Sequence, residues 1–178
     1  NVEGGVMDTH DRAEARSNPT PSRPAMGADY GINADLDPAQ CSWSRATDML
    51  APARNYWVGT THPEGRPHAM PVWGIWQDDA LYFATGRGSR KARNLAANPA
   101  VVVHLESGDD VVILEGEVEE VSDPATLDRF TDAYDVKYRF RPNTTDPAQV
   151  VYRLRPRLAF TWGEKDYPQS ALRWKFAQ

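Results

Sequence analysis

Ala84-Thr85-Gly86-Arg87-Gly88-Ser89-Arg90-Lys91-Ala92-Arg93-Asn94-Leu95-Ala96-Ala97-Asn98-Pro99 lies between two apolar runs, Ala80–Ala84 and Ala100–Leu105. Both runs read as strands, and Gly86 and Gly88 let the chain turn tightly as it leaves the first of them. Ser89 stands where a helix N-cap belongs, and Asn98-Pro99 mark the end of the short helix that it opens. Free amides at a helix start, a hydroxyl and nearby cationic side chains together make an anion site, most naturally for a phosphate. The chain carries a formal net charge of -5, yet no Asp or Glu occurs between Ala84 and Leu105. Arg87, Arg90, Lys91 and Arg93 therefore stand without a local counter-charge. An exposed basic helix face is the bland alternative. The glycine turn and serine cap in front of the bases favour a phosphate cradle.

The commoner phosphate loops do not match. A P-loop needs a lysine directly after its last glycine and Ser or Thr behind it, whereas Gly88 is followed by Ser89-Arg90-Lys91. The dinucleotide fingerprint needs a third glycine where Lys91 stands.

At 178 residues the chain is expected to form one domain with a tail. A mean hydropathy of -0.63 and 14 prolines are too polar for a compact domain throughout. Residues 1–35, rich in Pro, Asp, Arg, Gly and Ser, are expected to be disordered or loosely packed, with the domain spanning 36–178. A single cysteine, Cys41, excludes an internal disulfide and argues against a thiolate metal site. The cysteine usage, with no apolar run of membrane-spanning length, points to a cytoplasmic protein without a membrane partner. The acidic balance argues against nucleic acid as a partner.

Within the domain, Asp37-Pro38 signals a helix carrying Leu36, Trp43, Ala46 and Leu50 on one face and ending near Pro52. Asn55–Thr61 reads as a strand, His62-Pro-Glu-Gly65 as its hairpin turn, and Arg66–Gln77 as the returning strand. Pro71 inside that strand implies an edge or a bulge. Ala80–Thr85, Val101–Glu106, Val111–Val121 and Val151–Trp162 complete the strands, the last interrupted at Pro156. Asp123-Pro124 opens a helix whose Leu127, Phe130, Tyr134 and Tyr138 form one apolar face. About six antiparallel strands with two or three helices suggest a small β-barrel of the α+β or mostly β class.

Trp57-x-Gly-Thr, then Gly65-Arg-Pro-His-x-x-Pro-Val-Trp73, Leu81-Tyr-Phe, Ser89-Arg-Lys-x-x-Asn-Leu95 and Asn98-Pro99-x-Val resemble the pyridoxamine 5'-phosphate oxidase-like superfamily. The resemblance spans roughly residues 36–176 and implies a split β-barrel of the FMN-binding type. Gly65-Arg-Pro-His68 and Pro71-Val72-Trp73 look closest to the branch that uses coenzyme F420, a deazaflavin; FMN is the alternative cofactor. Ser89, Arg90 and Lys91 would then hold the cofactor phosphate and Thr85 would help place the ribityl-phosphate. Backbone groups of Met70, Pro71, Val72, Trp73 and Gly74 would line the ring edge. Members are usually homodimers with the cofactor between subunits, so Arg173 and Trp174 would close the partner's site. The C-terminal Arg-Trp-Lys-Phe-Ala-Gln does not match the substrate-phosphate segment of vitamin B6 oxidases, which argues against pyridoxamine phosphate as substrate.

A flavin or deazaflavin brings its own hydride chemistry, which accounts for a sequence without a triad or metal motif. His68 is the candidate proton donor to a small-molecule substrate, weighed against a satisfied strand histidine. Tyr134 and Tyr138 are alternative donors, but their helical spacing favours packing. Trp57, Trp73 and Trp76 are candidates to stack on a planar substrate, or core residues. Lys91 as a Schiff-base lysine is less expected than charge pairing. Arg87 and Arg93 would track the glutamates of an F420 tail or lie on the solvated surface. Three functions fit: an F420H2-dependent reductase of an unsaturated or quinone-like substrate, an FMN-dependent oxidase or reductase, and a non-catalytic flavin- or haem-binding module.

Overall fold

A computed structural model describes residues 18–32 and 34–177 of the chain. Among the described residues, nine strands form one antiparallel sheet: β1 (Thr20–Ser22), β2 (Tyr56–Thr61), β3 (Pro67–Val72), β4 (Ile75–Gln77), β5 (Ala80–Gly86), β6 (Ala100–His104), β7 (Asp110–Glu120), β8 (Gln149–Gly163) and β9 (Leu172–Lys175). Among the same residues, four α-helices accompany them: α1 (Ser44–Leu50), α2 (Arg90–Ala97), α3 (Pro124–Tyr138) and α4 (Tyr167–Ser170). The order β1-β9-β8-β7-β6-β2-β3 runs across the sheet, and β5 joins both β8 and β4. β3 pairs with β2 alone, so the strands are not closed into a barrel. An edge strand is where Pro71 was expected, because it has no N–H to give to a second neighbour.

β8 is the spine of the sheet. Its first half pairs with β5 from Gln149↔Gly86 to Leu154↔Leu81, its second half pairs with β9, and β7 runs along both halves. Pro156 does not interrupt it; the register slips between Glu115 and Gly116 instead. A Cβ on Gly116 would stand 2.8 Å from the Arg155 carbonyl oxygen, so the bulge needs glycine.

Side chains alternate across β5. Leu81 and Phe83 enter the main core with Tyr56, Val58, Val103, Leu114 and Leu154, covered by Trp43, Ala46 and Leu50 from α1 and its N-terminal flank. Ala80 and Tyr82 face the other way, onto Phe130, Tyr134 and Tyr138 of α3. The aromatic stripe of that helix is thus packing surface, with Asp123 capping it by accepting from the Thr126 amide at 2.8 Å. The helix expected from Asp37 to Pro52 is split into a single 3-10 turn, Pro38–Gln40, and α1, while Trp43, Ala46 and Leu50 remain the buried face.

Two further expectations are corrected. The returning strand Arg66–Gln77 is broken into β3 and β4, because at Trp73-Gly74 the chain leaves β2 and crosses to β5. Of the segment expected to be a loose tail, residues 1–17 lie outside the described residues, but Thr20–Ser22 pair with β9. Arg23 then ties that segment down by donating to the Gln169 and Ala171 carbonyls at 2.6 and 3.1 Å.

The bulge yields a stability test. Gly116→Ala pushes a methyl group into the Arg155 backbone, and overpacking of this kind costs roughly 1–3 kcal/mol. The urea midpoint should fall accordingly; an unchanged midpoint would mean that the bulge tolerates a side chain.

Candidate functional site

The turn and serine cap expected before the basic run lie at the start of α2. Ser89 is its N-cap, with Oγ accepting from the Ala92 amide at 3.1 Å. Thr85, at the end of β5, brings its Oγ1 to 3.2 Å from Ser89 Oγ and accepts from Lys91 Nζ at 3.4 Å. Three of the residues assigned to phosphate binding thus converge on one point. The helix needs its apolar side to dock, and it buries Ala92, Asn94 and Leu95. That docking carries Lys91 inward, leaving it only 8% exposed.

Lys91 is held without a counter-ion: among the described residues it makes no ion pair, and burial alone pushes its pKa down. An ammonium taken from water into such a place is costly unless a negative group meets it. Arg90 and Arg93 are exposed and likewise make no ion pair among the described residues. Arg87 differs from the expectation of an uncompensated base. Its guanidinium donates to both Glu120 oxygens at 3.0 and 2.9 Å, a bidentate pair that sequence proximity could not reveal.

A second set of polar groups links α2 to the β2–β3 hairpin. Asn94, fully buried, donates through Nδ2 to Thr60 Oγ1 at 3.0 Å, and Thr60 lies 3.3 Å from His68 Nδ1. That contact ties the His68 ring to the Thr60 hydroxyl, with either Oγ1 or Nδ1 as the donor. Asn94 Oδ1 and His62 Nε2 are buried with no hydrogen-bond partner among the described residues. His62 is 6% exposed, and burial, then Arg66, hold its pKa below the ordinary histidine value. The Asn94–Thr60 link was legible only as the Asn of the Ser-Arg-Lys-x-x-Asn run; its partner needs the fold.

Met70, Val72 and His68 share the face of β3 that Tyr56, Val58 and Thr60 occupy on β2. Met70 is 49% exposed there and Val72 is buried, whereas Pro71 is opposite Trp57 on the other face. The Trp73 ring turns toward α3, parallel to Tyr138 with centroids 4.7 Å apart. Gly74 departs from the expected ring lining: its N–H donates to Tyr138 Oη at 3.0 Å and its carbonyl accepts from Lys137 at 3.0 Å. Trp57 stacks on His104 outside the main core, and Trp76 packs against that core.

Arg173 and Trp174 lie elsewhere. Both belong to β9, and Arg173 is opposite Phe160, ten residues along β8 from the Val150 that pairs with Thr85. Ten extended residues span about 33 Å. Trp174 is 2% exposed, packs edge-on against Trp43 and donates to Thr161 at 2.8 Å, which places its ring in the core of its own chain. No helix among the described residues is long and apolar enough to cross a membrane, and none of their side chains form a metal-binding group.

Two outcomes are expected from these contacts. Ser89→Ala removes the helix cap and should cost about 1 kcal/mol in urea unfolding, with Ser89→Gly costing only a few tenths. For His62 the folded pKa lies below the unfolded 6.5, so the unfolded chain takes up the proton first. Stability should fall as the pH drops from 6.5 toward the folded value. His62→Gln should flatten that slope; an unchanged slope would place the titration elsewhere.

The sequence pattern of the family described as pyridoxamine 5'-phosphate oxidase matches residues 45–163, which contain the cradle and the hairpin. A conserved hypothetical protein from Mycobacterium tuberculosis is 26% identical, with 74% of this chain and 89% of that one covered and a TM-score of 0.62. A putative pyridoxamine 5'-phosphate oxidase from Listeria innocua is 17% identical over 66% of this chain and 95% of its own, with a TM-score of 0.57. An F420 reductase is 28% identical over 61% of this chain and 91% of that one, with a TM-score of 0.49. No curated protein matches. The match of the family pattern across most of the sheet shows that the chain belongs to the pyridoxamine 5'-phosphate oxidase family.

Proposed function

We propose that this protein is an oxidoreductase that binds coenzyme F420 and reduces an unsaturated or quinone-like small molecule. The observation that carries the reading is Lys91: a buried cation with no carboxylate partner among the described residues, beside the Thr85 and Ser89 hydroxyls. A cofactor phosphate would supply the missing charge, with Arg90 closing over it and the first-turn amides of α2 donating. Met70–Val72, with Trp73 just beyond them, lie on an edge strand whose outer side bonds no other strand among the described residues. Donors and acceptors there are free for a ring edge. The reduced cofactor supplies the hydride. His68, its ring tied to Thr60, would as the imidazolium deliver the proton that completes reduction and then take up another from solvent.

The preference for the deazaflavin rests on Gly65-Arg-Pro-His68 and Pro71-Val72-Trp73; FMN is the second reading, favoured by the family itself. A second copy of the chain belongs to the proposal. Its support is the sheet face bearing half-exposed Val102, with a shallow groove of about 710 Å³ lined by Gly59, Ala69, Val102 and Leu158. Sedimentation should find a dimer, and Val102→Glu should yield a monomer.

Titration of cofactor-free protein with F420 and with FMN tests the assignment. F420 is expected to bind more tightly, and the F420-reduced protein to pass hydride to a quinone. Tighter FMN binding would move the protein to the flavin reading; binding of haem alone would overturn both. Charge-assisted contacts are worth roughly 1.5–3 kcal/mol each. Arg90→Ala with Lys91→Ala should therefore weaken the preferred cofactor by about 100-fold or more while the fold persists. An unchanged Kd would remove the cradle from the account.

A further inference from the structure

Lys137 takes no part in binding phosphate or reducing substrate, yet three separate parts of the chain converge on its ammonium. Nζ donates at 3.0 Å to the Ala51 carbonyl after α1, to Tyr56 Oη on β2 and to the Gly74 carbonyl between β3 and β4. The neighbouring Tyr138 hydroxyl accepts from the Gly74 amide at 3.0 Å and lies 2.9 Å from the Gly74 carbonyl and 2.8 Å from that of Arg54. Both polar groups of one peptide residue are thereby committed to the last turn of α3.

Gly74 cannot move aside. A Cβ there would stand 2.9 Å from the Tyr82 carbonyl oxygen and 3.0 Å from Leu81 Cδ1, so the backbone is pressed against β5. Trp73, immediately before it, lies flat on Tyr138, with the Arg54 guanidinium 5.2 Å from the indole centroid. β3 itself is secured by β2 on one side only. Its far end is fixed where it meets α3.

We infer that Lys137 and Tyr138 are positioning residues, clamping the Gly74 peptide so that the Met70–Trp73 backbone is held where it meets the cofactor ring. The inference rests on the proposed cofactor reading and extends it to residues that touch neither phosphate nor ring. A hydrophobic side chain could fill the space below Trp73. It could not engage three oxygens from three elements.

The clamp has a pH signature. The ionisable or charged groups facing Lys137 are Tyr56 from β2, Tyr138 from its own helix and, across Tyr138, Arg54 from the segment before β2. No carboxylate pairs with it among the described residues, and burial pushes its pKa down to about 8. Once neutral, the amine has two N–H bonds for three oxygens. Tyr56 cannot reverse its bond easily, because its hydroxyl proton is already given to the Leu50 carbonyl. One of the three contacts therefore weakens as the pH rises through that value.

The full chain is compared with Lys137→Met and Lys137→Arg. Amide signals of Ala69, Met70 and Val72–Gly74 are followed by NMR from about pH 6.5 to 9.5 without cofactor. Affinities for F420, FMN and inorganic phosphate are then measured. In the unsubstituted protein those amides should shift together near pH 8, and F420 or FMN should bind more weakly above it. Lys137→Met should abolish the shared shift and weaken ring-bearing cofactor at least tenfold while leaving inorganic phosphate unaffected. Lys137→Arg should restore most of the affinity and remove the titration. Ring-bearing cofactor bound equally well by folded Lys137→Met would overturn the inference alone, as would an equal loss of phosphate binding. An unsubstituted protein that binds neither cofactor would overturn the functional reading and the ring-positioning role with it. Should the Met variant fail to fold, the unsubstituted protein's pH profile and the Arg variant decide: affinity flat through pH 8 in both refutes the clamp.

Discussion

A lysine ammonium buried with only a hydroxyl for company is the constraint on which the site depends. Lys91 is carried inward because α2 must bury Ala92, Asn94 and Leu95 against the sheet. Packing of that helix is favourable through its apolar atoms, and the charge comes along at a cost that burial of Leu95 and Ala92 offsets. Without a counter-ion the amine's pKa falls; with an anion at the helix start the same burial strengthens the attraction, since water no longer screens it. The N-terminus of α2 adds the positive end of its helix dipole beside Lys91. On the proposed reading, what is a defect in the bare fold would become affinity for a phosphate.

The sheet connects this anion site to the edge strand that would carry the ring. Asn94 reaches across from α2 to Thr60, and Thr60 reaches His68 on β3. From the other side α3 holds Gly74 at the end of the same strand. β3 thus has one strand neighbour but two helical anchors, one at each end. An edge strand left to itself frays. Here both ends are tied, leaving the middle, Met70 to Val72, with free backbone groups in a fixed position.

Local signals in the sequence carried much of this. The Gly86–Ser89 turn and cap, the Asp123-Pro124 helix start and the proline on an edge strand each depend on chemistry within a few residues, and the structure contains all three. Contacts with distant partners could not be read in the same way. Arg87 meets Glu120 across 33 residues, and Trp174 finds Trp43 because β9 and the N-terminal flank of α1 pack on the same core. The break at Trp73-Gly74 was hidden because its cause lies in Tyr82 and Leu81, which press on the glycine. Lys137 gave no signal either, since a lysine in the last turn of a helix ordinarily reads as a favourable end charge.

A crystal structure of the protein with its preferred cofactor would test the central claim most directly. The account requires the cofactor phosphate to sit against Ser89 and the first-turn amides of α2, within hydrogen-bond distance of Lys91 Nζ, with the ring against Met70–Trp73. A bound cofactor whose phosphate lies away from α2, leaving Lys91 still without an anion, would contradict it.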